Sequence, residues 1–208
     1  MEMEHLIREQ VQESLDVKMA LVRENTRTIA QIAALILKRL KSGNKLLLFG
    51  NGGSAADAQH IAAELIGRYH TDRKALPAVA LTTDTSVLTA VGNDYGFQEV
   101  FARQISALGC PGDVALAIST SGNSPNVLKG VVAARRAGMH TVGLTGRTGG
   151  KIKALVDYCL CVPSSTTARI QEAHIMMGHI VSYLVERAHL TERIRRKGKH
   201  IGTRGRKQ

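Results

Sequence analysis

Five short apolar runs, separated by stretches of helical pattern, leave this sequence few ways to fold. They are "KLLLFG" from Lys45, "PAVAL" from Pro77, "DVALAIST" from Asp113, "HTVGLTG" from His140 and "YCLCVP" from Tyr158. A strand with one wet face alternates apolar and polar residues. These runs are apolar on successive positions, the pattern of strands covered on both faces. Each is followed by a glycine, serine or threonine turn or by a helical segment. The rhythm is that of repeated βαβ units: an α/β protein with an open parallel sheet and right-handed crossovers.

Two long helical segments bracket the sheet. From Glu4 to about Lys41, apolar residues at Leu21, Ile29, Ile32, Ala33, Ile36, Leu37 and Leu40 keep to one face. "SGN" at Ser42 to Asn44 ends this helix, and Thr167 to His189 reads as another. The N-terminal segment can cover the sheet of its own chain or pair with copies of itself. The second is favoured, because the pattern is longer than one layer of a small domain requires. Three parts result: an N-terminal helical segment for oligomer packing (1–43), the α/β domain (44–190) and a basic tail expected to be disordered (191–208).

The 208 residues, 44% of them hydrophobic, suit one domain with a sizeable core. Cys110, Cys159 and Cys161 are odd in number, and two lie in an apolar run, which points to reduced core thiols. No signal-peptide pattern and no membrane-length apolar run is evident, so a cytoplasmic protein without a membrane partner is expected. The tail from Thr191 to Gln208 contributes +7 of the formal net charge of +11. Its plain reading is a solvated end, with nucleic acid or an acidic partner as the alternative. Aromatics at 3% offer little for base stacking.

In open α/β sheets, ligands bind beyond the carboxyl ends of the strands. Two polar turns occupy such positions: Asn51, Gly52, Gly53 and Ser54 after the first run, and Ser119, Thr120, Ser121, Gly122, Asn123 and Ser124 after the third. In the second, Ser124 and Pro125 read as a helix N-cap and first helical residue. Dense hydroxyls beside a helix N-terminus suit an anion, and glycine lets the backbone come close to it. Neither turn contains lysine, so a monophosphate ester fits better than a nucleoside triphosphate.

Behind the first turn, His60 and Glu64 stand at i and i+4 on one helical face. An imidazole and a carboxylate suit acid/base work or a metal, but a metal usually needs at least three protein ligands. "RIQEAHIMMGHI" supplies Gln171, Glu172, His174 and His179. Gln171 and His179 are about 12 Å apart along a helix axis. Periodicity does not choose between His174 and His179.

Together the stretches "GNGGSAADAQHIAAEL", "LTTDTSVLTAVGNDYGF", "ISTSGNSPNV", "GLTGRTGGK" and "RIQEAHIMMGHI" resemble the SIS-domain phosphosugar isomerases, and within them the phosphoheptose isomerases. The resemblance runs from about Leu6 to about Ala188. It implies a flavodoxin-like, five-stranded parallel sheet flanked by helices, in a homotetramer with active sites between subunits. It also implies substrate contacts at Asn51, Gly52, Gly53, Ser54 and Glu64, at Asn93 and Asp94, at Ser119, Thr120, Ser121 and Ser124, and at Gln171. One zinc per subunit is implied on His60, Glu64, Gln171 and His179, with Glu64 and His179 as the acid/base pair. The resemblance thus selects His179. An aspartate that some members have before "RIQE" is Ala168 here, so no role transfers to it.

The activity implied is conversion of sedoheptulose 7-phosphate to D-glycero-D-manno-heptose 7-phosphate through an enediol, in heptose precursor biosynthesis for lipopolysaccharide or a related glycan. The alternatives are another sugar phosphate, or a non-catalytic scaffold like the relative that associates with the bacterial replication initiator. A scaffold has no physical need of His60, Glu64, Gln171 and His179 together.

Overall fold

The computed structural model describes the backbone of residues 2–204 and the side chains of residues 2–191. The elements run α1 (Glu2–Lys41), β1 (Leu46–Gly50), α2 (Gly53–Ile66), β2 (Ala78–Ala80), α3 (Thr85–Tyr95), α4 (Val100–Leu108), β3 (Val114–Ser119), α5 (Pro125–Arg136), β4 (His140–Gly146), β5 (Tyr158–Val162) and α6 (Thr167–Arg204). All five apolar runs are strands. They form one parallel sheet in the order β2-β1-β3-β4-β5. Successive connections leave β1 in one direction and β3 in the other. A crevice therefore opens between the carboxyl ends of these two strands, the switch point where open α/β sheets bind ligands.

Alternation along each strand feeds two cores. Leu46, Leu48, Leu116, Ile118, Leu144 and Leu160 face α1, α2 and α6, whereas Leu47, Phe49, Ala115 and Ala117 meet Phe101 and Ile105 of α4 and Val127 and Val131 of α5. The central strands β1 and β3 are buried throughout, which is why their sequences do not alternate. The edges differ. Val79 of β2 is exposed, and β5 is only partly covered.

That edge corrects the reading of the cysteines. Cys159 and Cys161 are half-buried on β5, and Cys110 is exposed in the turn after α4; all three are free thiols, but none is a core residue. An edge strand has one unpaired side, and its outer face receives only a short helical turn, Gly150–Ala154.

The C-terminal half of α1 covers the sheet of its own chain through Leu21, Ile29, Ile32, Ile36 and Leu40. Its N-terminal half leaves Met3, Ile7, Val11, Leu15 and Met19 exposed, one every fourth residue. Helix α6 runs past His189, where the sequence pattern ends, with helical backbone to Arg204. The expected disordered tail thus begins as helix, and its side chains from residue 192 onward, with any partner they serve, lie outside the described residues. Among those described, no helix is long and apolar enough to cross a membrane.

Candidate active site

Helices α2 and α6 lie side by side and parallel, which brings residues more than a hundred positions apart into register. At the start of the pair, the Gln171 amide lies against Gly53, where an added Cβ would stand 2.5 Å from Nε2. About two turns further along, Ile61, the residue after His60, packs onto Gly178, where a Cβ would meet its Cδ1 at 2.5 Å. A side chain at 53 or 178 would require Gln171 or Ile61 to shift. The close contact at Gly178 delivers the next residue, His179, to the face that carries His60.

There three donors converge. His60 Nε2 is 2.9 Å from His179 Nε2 and 3.3 Å from Glu64 Oε1. Ligand atoms of His60, Glu64 and His179 all lie within 4.8 Å of one another. Each Nε2 can donate or accept here, according to the tautomer of its ring. Tyr69 flanks the group, its ring centroid 5.9 Å from that of His179. Asp57, one turn before His60, is half-buried, and its Oδ2 has no hydrogen-bond partner among the described residues. Burial pushes its carboxyl up to about 6, against the opposing influence of His60.

His174 serves elsewhere. It is buried, and its Nε2 donates to the Thr145 carbonyl at 3.1 Å. Gln171, about 12 Å from His179 along the helix axis, has its amide against Gly53 of the glycine turn. The structure therefore separates His174 from His179, the two that periodicity left undivided.

The two polar turns meet across the crevice. Asn51 and Asn126 exchange a reciprocal pair of amide hydrogen bonds, 2.9 and 2.8 Å, joining the first turn to the start of α5. In the second turn, Ser119 Oγ lies 3.1 Å from Ser124 Oγ. Ser124 does occupy the N-cap position with Pro125 after it, yet its hydroxyl makes no capping bond. Gly52 begins α2 without a side-chain cap as well. Neither helix is capped by the side chain of its N-cap residue, although the Val127 N–H of α5 donates to Asn126 Oδ1 at 2.9 Å. Ser54 and Ser119 are buried, Thr120 and Ser124 half-buried, and Ser121 and Gly52 exposed. Asn93 and Asp94 bond to each other at 2.8 Å on α3, a helix that buries none of its residues. No hydrogen bond or ion pair ties them to the α2–α6 cluster among the described residues.

Asn126, Tyr69, Arg73 and Glu186 escaped the sequence reading. Glu186 carried the one available signal, a carboxylate in the otherwise apolar "IVSYLVE".

A crevice at the switch point, lined by hydroxyls and helix starts, with a histidine–glutamate cluster alongside, defines a SIS-domain protein. A SIS-domain family model matches residues 10–146. Within that class the chain belongs to the phosphoheptose isomerase family, and it is an isomerase. The phosphoheptose isomerase of Aquifex aeolicus (strain VF5) is 57% identical over 174 residues, which cover 84% of this chain and 91% of that protein. The structure of phosphoheptose isomerase from Neisseria gonorrhoeae aligns with a TM-score of 0.84 at 48% identity, covering 88% of this chain and 98% of that one. One from Francisella tularensis aligns with a TM-score of 0.87 at 37% identity, covering 90% and 100%.

Proposed function

We propose that this chain converts sedoheptulose 7-phosphate to D-glycero-D-manno-heptose 7-phosphate, in the cytoplasm, as a step toward a heptose-containing glycan such as lipopolysaccharide. The convergence of His60, Glu64 and His179 beside a hydroxyl-rich crevice carries this reading. Close relationship to the phosphoheptose isomerases supports the substrate.

The donor set fits zinc, which favours imidazole nitrogen and carboxylate oxygen. The 2.9 Å between the two Nε2 atoms is a few tenths short of a tetrahedral edge of about 3.3 Å for bonds of about 2.05 Å. His60, Glu64 and His179 would hold the ion, with Gln171 as the fourth ligand that the family resemblance implies. When bound, zinc would act as a Lewis acid toward the C1 and C2 oxygens.

The chain's own groups do the rest. The phosphate is held by the hydroxyls of Ser119, Thr120, Ser121 and Ser124 and by the start of α5. Asn51, Gly52, Gly53, Ser54 and Gln171 take the sugar hydroxyls, with Asn93 and Asp94 completing the mouth. Binding energy from this remote end orients the reacting carbons. The Glu64 carboxylate takes a proton from C1 and returns it at C2. His179 moves the hydroxyl proton between the two oxygens, so no proton is gained or lost overall.

The exposed stripe from Met3 to Met19 supports a homotetramer through α1, with sites shared between subunits. The direct test is turnover of sedoheptulose 7-phosphate. Metal-replete protein without activity overturns the substrate assignment, and full activity in metal-free protein overturns the zinc role alone.

A further inference from the structure

Cys159 and Cys161 stand two residues apart on β5, on the face turned toward the Gly150–Ala154 turn. Their sulfurs are 3.7 Å apart. Thr145, paired with Cys161 across the ladder, places its hydroxyl 3.4 Å from Cys161 Sγ and 3.5 Å from Cys159 Sγ. The hydrogen bond from Cys159 outweighs partial burial and, with the Thr145 hydroxyl and the nearby Lys153 charge, brings the Cys161 thiol down to about 6; the Cys159 thiol is pushed up by the same bond and by burial. The pair thus favours the thiolate at Cys161 and the proton on Cys159, the arrangement of a nucleophile beside its resolving partner.

The pair also touches the crevice wall. Gly149 lies on Cys161, where an added Cβ would stand 3.0 Å from Sγ. The residues that follow hold the hydroxyl turn: Ile152 N–H donates to the Gly122 carbonyl at 3.1 Å, and Lys151 N–H to Asn123 Oδ1 at 3.0 Å. Cys161, Gly149 and the Ser119–Ser124 turn therefore form one contiguous stack.

We propose that Cys159 and Cys161 are an oxidative modification site, closed to an intrachain disulfide by a hydroperoxide, and that closure loosens the hydroxyl turn through Gly149. The Cys161 thiolate attacks the peroxide, the O–O bond breaks, and Cys161 becomes a sulfenic acid as water (or an alcohol) departs. Cys159 then attacks that sulfur; the S–S bond forms, the S–O bond breaks, and water leaves with the Cys159 proton. Two electrons from the two sulfurs reduce one peroxide. Same-face neighbours on a strand have Cα atoms about 6.6 Å apart, near the upper limit of about 6.8 Å for a disulfide. Closure must draw the sulfurs to about 2.05 Å, so the edge strand puckers and Gly149 moves with Cys161. Such a bond is readily reduced, as suits a reversible modification.

The kinetic arm of the test rests on the sugar-phosphate reading; the chemical arms do not. Cys110→Ser protein leaves this pair as the sole thiols. It is treated with hydrogen peroxide, alkylated and digested with trypsin, which leaves both cysteines in one peptide, residues 154–169. The expected peptide is two hydrogens lighter and unalkylated, and dithiothreitol restores alkylation. Amide hydrogen exchange at 119–124 is expected to quicken on oxidation. KM for the sugar phosphate should rise several-fold with a smaller change in kcat, and the additional Cys159→Ser change should abolish all three effects. A peptide that stays alkylatable, or that goes to the sulfinic acid without a cross-link, overturns the site. A disulfide that leaves exchange at 119–124 unchanged overturns the coupling. Inactive reduced protein would instead sink the substrate reading, with the mass and exchange results still standing.

Discussion

Arg73 and Glu186 form an ion pair sealed from water. The guanidinium Nε is 3.1 Å from Glu186 Oε2, and the side chains are 0% and 3% exposed. Glu186 also accepts the backbone N–H groups of Tyr69, His70 and Thr71 at 2.9 to 3.1 Å. Arg73 in turn donates to the carbonyls of Glu64 and Leu65, both at 2.8 Å. Although burial opposes it, these donors hold the Glu186 carboxyl below its ordinary range. The pair ties the last turn of α2, which carries Glu64, to α6 seven residues beyond His179, and so fixes the register of the proposed acid and base.

Glu186→Gln should therefore act on both stability and rate. It strands a buried guanidinium, a change that costs about 3–5 kcal/mol when one partner of such a pair is removed. Urea denaturation checks the first effect. At a temperature where the variant remains folded, kcat should fall more than KM rises, because the phosphate end of the site is untouched. A variant as stable and as fast as the parent would show the pair to be idle.

Glu64→Gln tests the proton transfer. Removing a positioned general base typically lowers rates by about 100- to 10,000-fold. The expected variant loses kcat on that scale while keeping the parent's melting temperature and oligomeric mass. His179→Gln should behave alike, and near-normal turnover in either would refute its assigned role.

The sheet was legible in sequence because β1 and β3 are apolar on consecutive residues, a pattern that has one common explanation. The edge strands were harder. Nothing in "YCLCVP" distinguishes a strand at the rim from one at the centre, and so Cys159 and Cys161 were read as core. His60 and Glu64 could be paired from their spacing alone. His179 could not, because its choice over His174 depends on which side of α6 faces α2, where Gly178 packs against Ile61, and that side is set by the packing of the whole helix. Arg73 and Glu186 are 113 residues apart, and nothing local in either segment announces the other. Asn126 was hidden for the same reason, its partner Asn51 being 75 residues away.

Metal content should follow the histidines. Purified protein is expected to hold one zinc per chain by elemental analysis, and His60→Ala to hold much less while keeping its fold by circular dichroism. Full zinc occupancy in that variant would remove His60 from the ligand set.

Ser119→Ala and Ser124→Ala each delete half of a 3.1 Å hydroxyl pair in the proposed phosphate turn. Each should raise KM by about 10- to 150-fold through a lost hydrogen bond of about 1.5–3 kcal/mol to a charged group. A phosphate-free heptulose should be turned over poorly by the parent protein, since remote binding energy would be absent. The two measurements separate the turn's contribution from that of the cluster, because the serines should leave zinc content unchanged.

His174 predicts how stability depends on acid. Burial pushes its imidazole down to about 4, although the bond to the Thr145 carbonyl pulls the other way, and Nδ1 has no partner. In the unfolded chain a histidine titrates near 6.5. Between those values the unfolded state binds the extra proton, so stability rises with pH through this window and is lost as pH falls from about 6.5 toward 4. A displacement of that size corresponds to roughly 3 kcal/mol. His174→Gln can keep the donor to Thr145 without an ionisable group. Denaturation midpoints at a series of pH values should therefore fall more steeply for the parent than for the variant over that interval, with the two curves parallel above about pH 7. Parallel curves throughout would mean that His174 takes its proton without cost, contrary to its burial.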